Sequence, residues 1–109
     1  MATRSYIAIK DKDNSYKGIY CHWDGYPSGV GVTLAEHYKL QDKVEELISK
    51  GSMSTLKPTI KSSEFYTDRG EELRVNTFSN SDELKVYAKE SWCEYLYIFE
   101  DGKWITEEI

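Results

Sequence analysis

The sequence predicts an α+β fold: a mostly antiparallel sheet, with elements in the order ββααββαββ and the helices packed on one face. Three observations lead there. Alternating apolar residues open and close the chain, the period-two signature of strands. Between them lie stretches whose apolar residues recur every three or four positions, as on a helix with one buried face. Aromatics make up 14% of the 109 residues, with nine tyrosines and three tryptophans, a composition that favours sheets over aliphatic helix bundles.

Ser5 to Lys10 alternates, with Ile7 and Ile9 opposite Tyr6 and Ala8. Lys17 to Trp23 likewise sets Ile19, Cys21 and Trp23 against Tyr20 and His22. The polar run from Asp11 to Ser15 makes the hairpin loop between them. It is not a calcium loop, because Tyr16 stands where the sharp-turn glycine belongs and His22 where the bidentate glutamate belongs. After the turn Asp24-Gly25-Tyr26-Pro27, Ser28 is expected to cap a helix whose Val30, Leu34 and Tyr38 share a face. Gly29 and Gly31 leave its first turn thin.

A second helix is expected from Asp42, with Glu45 completing a capping box, Val44, Leu47 and Ile48 inward, and Gly51 as the stop. Residues 52 to 63 read as irregular, with Leu56 and Ile60 against the core. Glu64 to Thr67 and Leu73 to Phe78 are expected as polar edge strands about the turn Asp68-Arg69-Gly70. Asn80 and Glu83 form another capping box, before a short helix with Leu84, Tyr87 and Ala88 inward. Tyr95 to Phe99 and Trp104 to Thr106 close the chain as a hairpin through Asp101-Gly102, a pair that accepts the positive backbone angles of a tight turn. No repeat or linker interrupts this order, so residues 1–109 are expected to form a single domain.

Composition narrows the function. The net charge is −5, from 19 acidic and 14 basic residues, without the clustered Lys and Arg that a direct grip on a nucleic-acid backbone needs. An acidic surface can instead meet a basic groove on a partner protein. Cys21 and Cys93 belong to no Cys-x-x-Cys pair, so they are expected as free buried thiols in a reducing cytoplasm. The N-terminus lacks the apolar core of a signal peptide, and no apolar run approaches a membrane span. A cytoplasmic protein with no membrane partner is expected.

The densest chemistry lies between Tyr20 and Gly31. A strand ends, a turn follows, and Ser28, Gly29 and Gly31 open a helix whose unpaired amides and missing side chains would let an anion approach. Tyr20, Trp23 and Tyr26 offer faces on which a base or ring would stack. The competing expectation is that Trp23 and Tyr26 fill a corner and the glycines permit close packing. His22, Asp24 and His37 invite a metal or general-base reading, which requires His37 to approach from the helix. Cys21 and His22 are strand neighbours, point to opposite faces and do not form a nucleophile pair. Arg69, at a turn flanked by acids, is a further candidate for an anionic ligand.

The run Ile19-Tyr20-Cys21-His22-Trp23-Asp24-Gly25-Tyr26-Pro27 resembles a family of small proteins encoded by bacteriophages and prophages. Leu34, His37-Tyr38, Val44, Leu47-Ile48, Gly51 and Ser54 share the resemblance. So do Thr3 to Ile9, the Asp68-Arg69-Gly70 turn, Tyr95-Leu96-Tyr97 and Gly102-Lys103-Trp104. The resemblance implies a small soluble protein made in an infected bacterium and brings no catalytic assignment.

The expected function is therefore a non-enzymatic, phage-encoded anti-defence protein that acts by binding and needs no cofactor. It would block a host immune effector, such as a CRISPR nuclease complex, or sequester a nucleotide-derived immune signal. Two alternatives stand beside it. One is a small hydrolase or transferase using His22, Asp24 and His37, with or without a metal; the other is a regulatory or accessory protein whose aromatic surface forms a homodimer.

Overall fold

A computed structural model of the chain describes residues 2–109. Its elements are β1 (Ser5–Lys10), β2 (Tyr16–Cys21), α1 (Val32–His37), α2 (Gln41–Ser49), β3 (Met53–Thr55), β4 (Glu64–Phe65), β5 (Asn76–Phe78), α3 (Ser81–Glu90), β6 (Tyr95–Glu100) and β7 (Lys103–Glu108). The α+β class holds, and the order is the expected one with a strand added. The additional strand, β3, lies in the stretch expected to be irregular. It is short, and its Met53 pairs with Cys21 on one side and Phe65 on the other, all three buried.

The strands form one sheet in the order β4-β3-β2-β1-β6-β7, with β5 also paired to β2. This sheet is mixed, which corrects the expected mostly antiparallel arrangement. The hairpins β1–β2 and β6–β7 are antiparallel, but they join through a parallel pairing of β1 with β6 at the centre, and β2 meets β3 in parallel. Local turn signals specify each hairpin, whereas the parallel join depends on a long crossover that no local pattern announces.

The helices also occupy both faces, not one. Ile7 and Ile9 of β1 face a cluster that holds Leu34 and Tyr38 of the first helical segment and Val44, Leu47 and Ile48 of α2. Tyr6 and Ala8 face the opposite cluster, with Leu84 and Ala88 of α3. The physical reason lies in the central strands: β1 is buried from Ser5 to Ile9 and β6 from Leu96 to Phe99, on alternating sides. A strand apolar on both sides needs cover on both. Each fully buried aliphatic chain contributes roughly 1.5–3 kcal/mol relative to exposure.

Helix starts separate into those set locally and those set by packing. Asn80 behaves as expected: its side chain accepts the Glu83 amide at 2.9 Å, while the Glu83 carboxylate accepts the Ser79 amide at 3.3 Å. Ser28 does not cap a helix. Pro27–Gly31 makes one wide helical turn that leads into α1, and Ser28 lies inside it. Nor does the Asp42–Glu45 box form, because α2 begins one residue earlier and Asp42 sits within its first turn. There its carboxylate complements the positive end of the helix instead. The edge strands expected over 64–67 and 73–78 shorten to β4 and β5, and Tyr87 is inward only in part: its ring lies 5.6 and 5.3 Å from those of Tyr6 and Phe78 while the side chain stays 40% exposed. The closing turn has the expected geometry, with φ of 53° at Asp101 and 75° at Gly102.

Candidate functional site

The backbone after β2 first continues along the sheet. The amides of His22 and Trp23 donate to the carbonyls of Met53 and Ser54 at 3.1 and 3.0 Å. Asp24 then takes a positive φ of 57° and reverses the chain. The next residue is pinned from two sides: the Gly25 amide donates to the Thr3 carbonyl at 2.8 Å, and its carbonyl accepts the Tyr97 hydroxyl at 2.6 Å. A β-carbon at Gly25 would lie 2.7 Å from the Thr3 carbonyl oxygen, so only glycine fits against β1's approach.

This path sorts the candidate side chains onto two sides. On one side Tyr20, His22 and Trp23 form a contiguous aromatic strip. The Tyr20 hydroxyl lies 2.8 Å from His22 Nδ1, and the Trp23 ring meets the imidazole edge-on at 4.7 Å between centroids. Tyr20 packs at the margin of the cluster beneath α3, and Trp23 lies beyond it, 43% exposed. Two arginines accompany the strip. Arg4 is close enough that its charge pulls the Tyr20 phenol down against the larger upward push of burial. Burial first, and Arg4 second, hold the His22 imidazole below its ordinary value.

Tyr66 and Arg69 extend the strip across β3. Ser52 joins the two tyrosine backbones: its hydroxyl accepts the Tyr20 amide at 3.2 Å and its carbonyl the Tyr66 amide at 3.2 Å. Arg69 lies over the Tyr66 ring, 5.5 Å from its centroid, and touches Glu64 at 3.8 Å. Both partners of that ion pair are more than half exposed, so it restrains Arg69 little.

On the other side Asp24 and Tyr26 turn toward each other, the Tyr26 hydroxyl donating to Asp24 Oδ1 at 3.0 Å. Tyr26 also lines a cleft of about 490 Å³ together with Thr3, Glu94, Tyr95, Glu108 and Ile109. The two glutamates make this cleft a poor place for a phosphate. Tyr26 and Asp24 thus do not belong to the arginine-bearing strip.

Two of the amides expected to cradle an anion are engaged within the turn. Gly29 donates to the Tyr26 carbonyl and Val30 to the Asp24 carbonyl, each at 2.9 Å. The glycines serve packing: a β-carbon would sit 2.4 Å from the Asp24 carbonyl oxygen at Gly29 and 3.2 Å from the Tyr97 ring at Gly31. Ser28 is exposed.

Nor do His22, Asp24 and His37 converge. His22 is occupied by Tyr20 and Asp24 by Tyr26, while His37 ends α1 at the surface. Among the described residues no group of three His, Cys, Asp or Glu is placed to hold a metal ion. Cys21 is buried on the face opposite His22, and desolvation pushes its thiol up to about 12. The Tyr20 hydroxyl faces Nδ1 of the neutral His22, which leaves Nε2 for a further hydrogen bond, as a donor in the tautomer whose Nδ1 accepts and as an acceptor in the other. The strip therefore offers ring faces, one neutral imidazole and two guanidiniums, the equipment for holding a flat, anionic ligand.

Arg4 and Tyr66 are the members that sequence reasoning missed. Arg4 precedes β1, whose register with β2 sets Ser5 opposite Cys21, and Tyr66 follows the buried Phe65 of β4. The β1–β2 hairpin was legible, so extending its register by one residue would have placed Arg4 beside His22; Tyr66 required the unexpected β3. Among the described residues no helix is long and apolar enough to cross a membrane. No family model, curated protein or solved structure matches the chain.

Proposed function

We propose that this chain is a phage-encoded anti-defence protein that acts by binding, and that it sequesters a nucleotide-derived immune signal on the strip of Tyr20, His22, Trp23 and Tyr66. The observation that carries this reading is the pairing of that strip with Arg4 and Arg69. Aromatic faces stack on bases with little regard to sequence, and guanidiniums take phosphates in two-point contacts. The phage origin rests on the resemblance of the Tyr-Cys-His-Trp-Asp-Gly-Tyr run.

Native mass spectrometry of the protein recovered from infected cells tests the proposal. Wild type should carry the added mass of a nucleotide, and Trp23→Ala and Arg4→Ala should lose it together with anti-defence activity. Empty wild-type protein whose Trp23→Ala variant still protects the phage would end the sequestration reading.

A second reading, obstruction of a host effector such as a CRISPR nuclease complex, draws on a different surface. Phe78, Val86 and Tyr87 line an apolar groove rimmed by Asp82, Glu83 and Glu90, and the chain carries a net charge of −5. Such a groove suits a basic partner with apolar anchors. A pull-down from host lysate that recovers no defence protein would count against it.

A further inference from the structure

The β7 edge carries a pattern that neither binding surface uses. Among the described residues β7 pairs only with β6 and forms one end of the sheet. Glu100 and Lys103 flank the two-residue Asp101-Gly102 turn and pair with each other. They form the closing hydrogen-bonded pair of that hairpin, so the backbone groups of Lys103, Ile105 and Glu107 point toward β6. The alternation continues to Ile109, whose amide donates to the Glu94 carbonyl at 2.9 Å. The amides and carbonyls of Trp104, Thr106 and Glu108 consequently face outward.

Side chains alternate in the same rhythm. Ile105 pairs with Ile98, a member of the cluster beneath α3, and Glu107 meets Lys85 of α3 at 3.2 Å. Lys103, Ile105 and Glu107 therefore share the α3 face. Trp104 faces the other way, its Nε1–H donating to the Tyr38 carbonyl at 2.8 Å. Ile105 remains 42% exposed, an apolar side chain between a cation and an anion two residues away on either side.

We propose that β7 pairs antiparallel with β7 of a second copy of this chain, about a twofold axis passing beside Ile105. An axis normal to the sheet keeps each face on its own side, as an isologous contact requires. Trp104 of each copy then lies opposite Thr106 of the other, and their outward backbone groups exchange hydrogen bonds. Ile105 meets Ile105 in the non-hydrogen-bonded pair between them, where side chains approach most closely. Lys103 of each copy lies opposite Glu107 of the other.

The neighbouring registers lack this complementarity. With Thr106 on the axis, Ile105 would face Glu107 and Lys103 would face Ile109; with Trp104 on the axis, Lys103 would face Ile105. Edge strands commonly carry charges that discourage pairing. Here the two signs are spaced so that the strand complements itself in one register. The aromatic strip lies beyond β1, on the side of the sheet away from β7, so a dimer leaves two copies of it open.

Light scattering after size exclusion, combined with a cysteine scan, tests the proposal. Wild type should show twice the 12.7 kDa chain mass. Ile105→Asp and Thr106→Pro should return to the single mass with unchanged circular dichroism, since one alters an exposed side chain and the other removes an outward amide. Under mild oxidation Ile105→Cys should form a covalent dimer, and Trp104→Cys and Thr106→Cys should not, because only a residue at the axis meets its own copy at disulfide distance. A wild-type monomer at every accessible concentration would overturn the proposal. So would crosslinking through Thr106→Cys in place of Ile105→Cys.

Discussion

The Tyr97 hydroxyl donates to the Gly25 carbonyl across 2.6 Å, and this one bond ties the turn after β2 to the central strand β6. Both ends are buried, so removing the donor leaves a carbonyl without a partner. Tyr97→Phe should therefore cost about 1–3 kcal/mol, a fall in Tm of several degrees for a chain of this size. Urea denaturation checks it; a loss below a few tenths of a kcal/mol would show that the turn is held by its backbone bonds alone.

The turn that follows separates packing from capping. Gly29→Ala places a methyl group against the Asp24 carbonyl oxygen and should destabilise by about 1–3 kcal/mol. Ser28→Ala removes an exposed hydroxyl that caps no helix and should stay within about 0.5 kcal/mol. Equal losses at the two positions would revive Ser28 as a cap. Thermal unfolding of the two variants, measured side by side, distinguishes these outcomes.

What could be read from the sequence follows the range of the interaction responsible. Asp101-Gly102 announced its hairpin because the turn conformation belongs to those two residues, and Asn80 announced α3 because its cap lies three residues from its partner. Val30, Leu34 and Tyr38 were legible as one buried face even though the helix did not start where expected. The parallel join of β1 with β6 was not legible, because most of the chain separates the two strands. The same limit governed the site. Tyr20, His22 and Trp23 were visible as neighbours in sequence, whereas Tyr66 reached them only through Ser52 and the pairing of β3 with β4. Asp24 and Tyr26 looked like members of the strip until the positive φ at Asp24 carried them to another side.

The two thiols should be silent in the folded protein. Cys21 and Cys93 are buried, and desolvation pushes each up to about 12. At about pH 8 such a thiol stays protonated, whereas a sizeable fraction of a free cysteine of ordinary pKa near 8.5 is ionised. A chromogenic disulfide reagent should therefore find no fast-reacting thiol in native protein and two after unfolding in guanidinium. One rapid native thiol would show that Cys21 or Cys93 is open to solvent in the folded chain.

His22 should make stability depend on pH in a defined direction. Burial and the Arg4 charge hold its folded pKa below the ordinary 6.5, so the unfolded chain binds more protons wherever the two states differ. Stability then rises with pH: the contribution of neutral His22 is complete above about 6.5 and is lost as pH falls through that value toward the folded pKa. His22→Gln removes the titrating group while keeping a polar side chain that can pair with the Tyr20 hydroxyl in either direction. Urea midpoints taken between about pH 7.5 and pH 5 should fall more for wild type than for His22→Gln. The variant losing as much as wild type would mean that His22 takes up its proton as readily in the folded chain as in the unfolded one, and would remove the neutral imidazole from the proposed recognition strip.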